Sequence, residues 1–345
     1  MSEKSNNSLI DKLKDYFIKT LNGMALGLFS SLIIGLILKQ IGTYLNIDSL
    51  VYFGEVAQYL MGPAIGAGVA YSLGIAPLGI FSAVIVGAIG AGTVREMSQH
   101  AFSLQIGEPV GAFVAALIAA EFCRLIQGKT KLDIILIPAG TIIVGGLTGL
   151  SFAPIAAEFI GAIGAFINAA TELHPIPMGI IVSISMGMML TLPISSAAMA
   201  ISLGLSGLAA GAATVGCSAQ MIGFAIASYR ENKFGGFLAQ GFGTSMLQIP
   251  NIIKNPIIWI PPIITSAILG PISTVLFRME NSPVGAGMGT SGLVGQVATL
   301  EVMGSDARVP ILLLHFILPA LITLFISEYM RRKGYINKGD MLLKD

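Results

Sequence analysis

The stretch ELHPIPMGIIVSISMGMMLTLPISS, Glu172–Ser196, lies at the middle of a 345-residue chain. His174 stands near its start, and an apolar run flanked by prolines follows over Met178–Leu192. The small polar residues Ser195 and Ser196 close the stretch. A short apolar run interrupted by proline is typical of a broken or re-entrant membrane helix, which is tolerated at membrane depth where it lines a cavity. A substrate cavity beside this stretch is one interpretation, and an ordinary helix behind a proline-rich loop is the other.

The composition indicates an integral membrane protein in contact with lipid. Hydrophobic residues make up 54% of the chain and charged residues only 11%, whereas soluble domains average about 25% charged residues. The 42 glycines fit helices that pack closely through small residues. The net charge of +1 gives no sign of a nucleic-acid partner, and neither polar tail is long enough for a DNA-binding domain.

The placement of basic residues predicts the orientation in the membrane. They flank the first and the last apolar runs, as Lys4, Lys12, Lys14, Lys19, Arg331, Arg332, Lys333, Lys338 and Lys344. The segment GKTKLD at 128–133 is a further basic turn. Because basic loops stay on the cytoplasmic side, we expect both termini and this turn to be cytoplasmic, with an even number of spans.

The apolar runs predict an all-α polytopic membrane protein with about ten transmembrane helices in two halves. The predicted parts are a cytoplasmic lead-in (1–20), a five-helix half (21–152), a linker helix (153–173), a second half (174–327) and a cytoplasmic tail (328–345). The linker could also span the membrane, but its thin polar face favours a position between the halves. Re-entrant hairpins are expected in the second half, near 193–215 and 280–304.

Four side chains in apolar runs have predicted roles in packing. Glu121 and Arg124 are three residues apart, so they should pair on one helical face. Cys123 and Cys217 lie far apart and without Cys-x-x-Cys spacing, so we interpret them as small core residues. The sequence predicts no metal site and no cofactor.

The stretch RMENSPVGAGMGTSGLVGQVATLEVMG at 278–304 is a second candidate site. Glu280 and Asn281 stand close to Pro283, and the glycines after them permit close approach of the backbone to a ligand. The glycine spacing does not indicate a dinucleotide loop, because it follows a membrane span rather than a strand. A polar hairpin tip in the membrane would suit a neutral polyhydroxy ligand. The alternative is a short extramembrane loop with a solvated glutamate.

Three segments carry a resemblance to a known family. They are HPIPMGIIVSISMGMMLTLPISSAA (174–198), GFGTSMLQIPNIIKNP (241–256) and ENSPVGAGMGTSGLVG (280–295). The chain resembles the PTS EIIC-like family, the membrane subunit of sugar phosphotransferase systems, in the branch that includes perfringolysin O regulator-like proteins. The resemblance extends from about residue 10 to 335. It implies a bacterial plasma-membrane protein, a homodimer formed by the first half, and a sugar-binding second half with two re-entrant hairpins.

The resemblance also implies binding residues and partners. Sugar-transporting relatives bind substrate through a histidine in the second half and a glutamate in the last hairpin, which correspond to His174 and Glu280. Here the glutamate stands in Glu-Asn-Ser-Pro instead of Asn-Glu-Pro. With Asn281, Ser195 and Ser196 these residues form the predicted substrate-binding set. The residues that pass phosphate belong to soluble IIA and IIB proteins in such systems, so no self-contained catalytic site is expected.

Two functions from different classes follow. The leading hypothesis is a translocation subunit for a small polar solute, a sugar, acting with separate phosphotransfer proteins. The alternative is a regulatory membrane protein that senses a solute without moving it. A passive channel fits less well, because the sequence lacks a regular ring of like charges.

Overall fold

The computed structural model describes residues 2–98 and 101–343, and 82% of the chain is helical. Six helices in the described ranges are long and apolar enough to cross a membrane, and Pro77–Ala91 and Pro175–Thr191 are shorter apolar helices. The predicted class, an all-α polytopic membrane protein, is confirmed. The count of about ten spans stays a prediction. A small antiparallel hairpin pairs Val94–Ser98 with Ala101–Leu104.

The chain forms two compact units, one up to Glu158 and one from Phe159. The elements of the first unit are α1 (Ser2–Leu28), a π-helical turn (Phe29–Ile33), α2 (Ile34–Leu45), α3 (Asp48–Tyr59), α4 (Met61–Ser72), α5 (Pro77–Ala91), β1 (Val94–Ser98), β2 (Ala101–Leu104), α6 (Pro109–Ile126) and the first part of α7 (Asp133–Thr171). The fifth predicted span and the predicted linker therefore form one long helix, α7. The predicted domain boundaries stay predictions.

Proline explains why α3 and α4 are separate helices. The apolar run over 51–73 predicts one span broken by Pro63, and in the structure α3 ends at Tyr59 and α4 begins at Met61. Pro63 lies in the first turn of α4. A proline ring clashes with the carbonyl four residues before it, and here that residue is Tyr59. The helix therefore stops at the residue that the ring would hit.

Glycine spacing in the first unit serves packing within the unit. A Cβ at Gly66 would overlap the Ala83 carbonyl oxygen on α5, so only glycine permits this approach. A Cβ at Gly145 would lie 2.5 Å from Val86, also on α5. A Cβ at Gly62 or at Gly149 would likewise be crowded by atoms of α5. Glycines four residues apart are typical of a close helix contact. In the structure α5 of the same unit is the partner, so these spacings give no support to a dimer interface.

The predicted packing roles of the four side chains are confirmed. Arg124 Nη2 lies 2.8 Å from Glu121 Oε2. Tyr16 adds a hydrogen bond of 2.6 Å from its hydroxyl to Glu121 Oε1. Cys123 and Cys217 are both fully buried in the core as free thiols.

The second unit is built around α10. Its elements after α7 are α8 (Pro175–Thr191), α9 (Ser196–Ser202), α10 (Gly207–Ala227), α11 (Tyr229–Leu238), a π-helical turn (Ala239–Gly243), a 3-10 turn (Ser245–Gln248), α12 (Ile249–Lys254), a 3-10 turn (Pro256–Trp259), α13 (Ile260–Pro271), a π-helical turn (Ile272–Leu276), α14 (Pro283–Ala286), a 3-10 turn (Ser291–Leu293), α15 (Val294–Met303), a 3-10 turn (Gly304–Ala307), α16 (Arg308–Ile311), a π-helical turn (Leu312–Ile317) and α17 (Leu318–Arg332). Helix α10 packs against α8, α13 and α17.

Helices α8 and α10 run parallel. Cys217 Sγ of α10 lies 3.4 Å from the Met186 carbonyl of α8. Further along both helices, Thr191 Oγ1 lies 3.3 Å from Gln220 Oε1. Because the contact positions increase together on both helices, the chain between them must return to the level where α8 began. The segment 192–206, which contains α9, makes that return.

Candidate solute-binding site

The chain from Glu280 to Met303, called the last hairpin below, enters the second unit, turns and leaves again. Its first arm begins where Asn281 and Gly207 exchange backbone hydrogen bonds of 3.1 and 3.2 Å at the start of α10. It then follows α10, and Gly289 lies against Cys217. Helix α15 forms the second arm, and Met303 Sδ comes within 3.2 Å of the Glu280 backbone N. The two ends of the hairpin therefore lie together, and its tip, residues 290–293, lies far along α10.

Asn281 holds the two arms together. Its side chain is buried, and Nδ2 donates to Thr214 Oγ1 at 2.7 Å and to the Gly295 carbonyl at 3.1 Å. A third acceptor, Thr299 Oγ1, lies 3.0 Å from the same atom. A Cβ at Gly285 would crowd Asn281 Oδ1 at 2.5 Å. Both amide N–H groups are thus occupied by protein, so the predicted binding residue acts here as a clamp of the hairpin.

Ser196 lies against the last hairpin, and Ser195 precedes Ser196 at the start of α9. Ser196 is buried, and its Oγ donates to the Gly287 carbonyl at 2.7 Å. Ser195 caps α9, since its Oγ accepts a hydrogen bond of 3.3 Å from the Ala198 backbone N. The structure therefore brings two of the predicted stretches together, the end of 172–196 and the start of 280–304.

Glu280 and His174 are both exposed, at the same end of the second unit. His174 precedes α8, and the carbonyl of its neighbour Pro175 accepts a hydrogen bond of 2.7 Å from Thr274 Oγ1. Thr274 lies six residues before Glu280. Within residues 2–98 and 101–343, the Glu280 carboxylate makes no hydrogen bond or ion pair. It stands at the mouth of the last hairpin, and its role in binding stays a prediction.

A buried amide and imidazole extend the polar groups of the hairpin. Gln296 on α15 lies with its Nε2 2.9 Å from His315 Nδ1, and both side chains are buried. Gln296 Oε1 and His315 Nε2 have no partner among the described residues. His315 sits in a π-helical turn, a distortion frequent at functional sites. A histidine inside the last apolar run is the signal that identifies it, because ionisable residues at membrane depth are usually functional.

A second polar cluster lies at the level of the hairpin tip. Gln220 Oε1 accepts a hydrogen bond of 2.9 Å from Trp259 Nε1. Thr191 Oγ1 and Ser245 Oγ lie 2.8 Å apart beside it. Ser245 belongs to residues 239–248, a non-α stretch called the irregular segment below. Such amide, hydroxyl and indole groups bind neutral polar ligands and carry no net charge.

The hairpin tip meets the irregular segment directly. Ser291 Oγ donates to the Gly243 carbonyl at 2.8 Å, and Thr290 Oγ1 donates to the Gly241 carbonyl. The π-helical turn leaves these two carbonyls free of regular helical bonding, which lets them accept from the tip. The hairpin tip and the irregular segment are therefore joined by two side-chain hydrogen bonds.

A comparison with protein families matches residues 18–343 to the family described as Phosphotransferase system, EIIC. The chain belongs to this family. The resemblance inferred from the sequence is thereby confirmed. Comparisons with curated proteins and with solved structures gave no match. As an EIIC protein it is a multi-pass membrane component of the phosphotransferase transporter type.

The polar residues of the candidate site in this EIIC protein differ in whether the protein satisfies their hydrogen bonds. The side chains of Asn281 and Ser196 are hydrogen-bonded to other protein groups. Glu280 keeps a free carboxylate, whereas Gln296 and His315 keep one free polar atom each within the described chain. Groups that are not satisfied by protein are the ones available to a solute or to water.

Proposed function

We propose that this EIIC protein is the translocation subunit for a small polar solute, a sugar, and that it works with separate IIA and IIB phosphotransfer proteins. The Gln296–His315 pair carries the proposal, because it offers a buried donor and acceptor that the described protein does not satisfy. Buried polar groups normally have partners, and a sugar hydroxyl both donates and accepts. Glu280 at the mouth of the hairpin would add a charge-assisted acceptor.

The surroundings of the two cysteines support the proposal of separate phosphotransfer proteins. Phosphate transfer from IIB to a sugar needs a phosphorylated donor residue, and both cysteines of this chain are buried core residues. The family supports a transport component over the alternative of a sensor without transport.

The test is uptake in cells that lack their own phosphotransferase sugar transporters. The chain is expressed with and without IIA and IIB proteins, and radiolabelled hexoses, hexitols and disaccharides are supplied singly. We expect one of them to accumulate as its phosphate only when all components are present. Binding of a sugar without accumulation in any combination would favour the sensor.

We propose that both termini and residues 128–133 face the cytoplasm of a bacterial cell. Single cysteines at Thr130 and Asn337, in a variant with both native cysteines replaced, should resist an impermeant thiol reagent in intact cells and react after the cells are opened. Both positions are exposed, so burial cannot explain protection. Labelling of Thr130 alone in intact cells would reverse the assignment for the first unit.

We propose a homodimer formed by the first unit. An open groove of about 500 Å³ runs along α7 and is lined by Val144, Leu147, Thr148, Ser151, Phe152 and Ile155. Leu147 is 62% exposed in it. Leu147→Cys should therefore form a disulfide-linked dimer in membranes, whereas Phe325→Cys, 77% exposed on α17, should stay monomeric. Crosslinking at position 325 alone would place the contact in the second unit.

A further inference from the structure

The end of the chain is docked onto the second unit. The sequence predicts a cytoplasmic tail over 328–345. In the structure, residues 336–343, called the tail segment below, have no regular secondary structure beyond a turn. Nevertheless Met341 is fully buried and Ile336 is 2% exposed. A segment with two buried apolar anchors is held in place.

Four side-chain amides hold the tail segment, and together they form the amide cradle: Asn232, Gln248, Asn251 and Asn255. The Asn232 side chain both donates and accepts. Its Nδ2 donates to the Met341 carbonyl and its Oδ1 accepts from the Leu343 backbone N, both at 2.8 Å. Such a pair of bonds imitates one rung of a β-ladder.

The other members of the cradle bond to neighbouring tail atoms. Gln248 Nε2 donates to the Met341 carbonyl at 3.0 Å, and Asn251 Nδ2 donates to the Leu342 carbonyl at 3.0 Å. Asn255 Nδ2 donates to Asp340 Oδ2 at 2.8 Å. Because most of these bonds go to backbone atoms, the cradle fixes the path of the backbone over 341–343 and depends little on the side chains there.

A buried ion pair also depends on the tail segment. Glu231 and Arg331 have side chains only 3% and 12% exposed, and they pair at 3.0 Å. The second Glu231 oxygen accepts a hydrogen bond of 3.0 Å from the Met341 backbone N. A buried carboxylate that loses a donor is destabilised. Departure of the tail segment would therefore disturb Glu231 as well as the cradle.

The cradle continues into the irregular segment. Gln248 Nε2 also lies 2.8 Å from Gln240 Oε1, and Gln240 Nε2 donates to Ser228 Oγ at 2.9 Å. Gln240 and Gln248 lie at the two ends of the irregular segment. Its middle accepts the hydrogen bonds of the hairpin tip, including Ser291 Oγ to the Gly243 carbonyl at 2.8 Å. Hydrogen bonds at both ends and the backbone of the irregular segment between them therefore join the tail segment to the tip.

We propose that the tail segment is a detachable latch that holds the irregular segment against the tip of the last hairpin. Release needs no helix to unfold, and within the tail segment itself only two side chains, Ile336 and Met341, leave buried positions. Segments with few buried side chains of their own are among those that open most easily. When it opens, Gln248 loses a partner and the irregular segment is free to leave the tip. That the latch controls solute passage rests on the proposed transport function. The attachment of the tail segment to the tip through the irregular segment is independent of that function.

The test is hydrogen exchange of the purified full chain in detergent, followed by mass spectrometry, with no solute added. The double substitution Asn232→Ala and Asn251→Ala removes cradle contacts to the tail segment. We expect at least tenfold faster exchange in peptides covering 336–343, 241–248 and 288–293, with α10 unchanged. Asn337→Ala, an exposed amide in the tail segment outside the cradle, is the matched control and should change nothing.

A second variant acts from the tail side and leaves the cradle intact. Met341→Asp places a charge in a fully buried position and should give the same pattern of exchange. Faster exchange confined to 336–343 in both variants would overturn the latch, because the tail would then be attached without being coupled. Unchanged exchange in both would overturn it too. Neither result bears on sugar uptake, so failure of the latch and failure of the transport proposal are distinguishable.

Discussion

Asn281→Asp is expected to destabilise the second unit strongly. The substitution keeps the shape but replaces the donor Nδ2 by an oxygen that faces the Gly295 carbonyl at 3.1 Å. The two hydroxyls beside it, of Thr214 and Thr299, already donate to helix carbonyls and would have to give up those bonds to donate to the carboxylate. Leaving buried groups unpaired costs about 1–3 kcal/mol each, and more where a charge is involved. A loss of about 3 kcal/mol corresponds to a fall of about 6–12 °C in the unfolding midpoint of a unit of this size.

The measurement is thermal unfolding of the purified protein in detergent. Asn281→Ala, which removes the clamp without adding a charge, should give a smaller fall in the same direction. Asn337→Ala is the matched control, because an exposed amide contributes within about 0.5 kcal/mol. An Asn281→Asp variant as stable as the native chain would show that this amide does not hold the hairpin together.

Glu280→Gln is expected to leave stability unchanged and to weaken solute binding. The carboxylate is exposed and makes no hydrogen bond or ion pair in the described part of the chain, so its charge is not needed for the fold. If it accepts hydrogen bonds from ligand hydroxyls, removing the charge costs about 1.5–3 kcal/mol. Affinity for the sugar identified by uptake should then fall about tenfold to a hundredfold.

Glu158→Gln is the matched control for this experiment. Glu158 is also exposed but lies on α7 outside the candidate site, so its substitution should leave affinity nearly unchanged. Equal binding by native protein and Glu280→Gln, measured by calorimetry, would make Glu280 a solvated residue of the loop. Of these two neighbouring residues, substitution of Glu280 is thus expected to lower solute affinity, and substitution of Asn281 is expected to lower thermal stability.

The class and several local contacts were predictable from the sequence because they depend on local pattern. Apolar composition identifies a membrane protein, and spacing of three residues on a helix places Glu121 beside Arg124. Partners distant in the chain are not fixed by such patterns. The Gly62–Gly66 spacing correctly marks a close helix contact, yet nothing local tells whether the partner is α5 or a second copy.

In the candidate site, too, local pattern predicts the stretch involved but not the partners of its side chains. A carboxylate and a glycine-rich stretch draw attention to 280–304, and the structure makes that stretch a hairpin. The division of labour between Glu280 and Asn281 depends on Thr214 and Thr299, which come from other elements. The tail segment was predicted only as part of a cytoplasmic tail, and its docking uses backbone groups and Met341, which composition does not reveal.

The burial of α10 has a consequence for the synthesis of the protein. Among the six helices that could span the membrane in the described ranges, Gly207–Ala227 has the lowest mean hydropathy, 1.4, yet 94% of it is covered in the finished unit. Lipid alone would retain it weakly during insertion. Two of its covering helices, α13 and α17, leave the ribosome after it. We therefore expect nascent chains truncated after residue 228 to insert α10 less completely than chains that reach residue 332, as a glycosylation reporter in microsomes would measure.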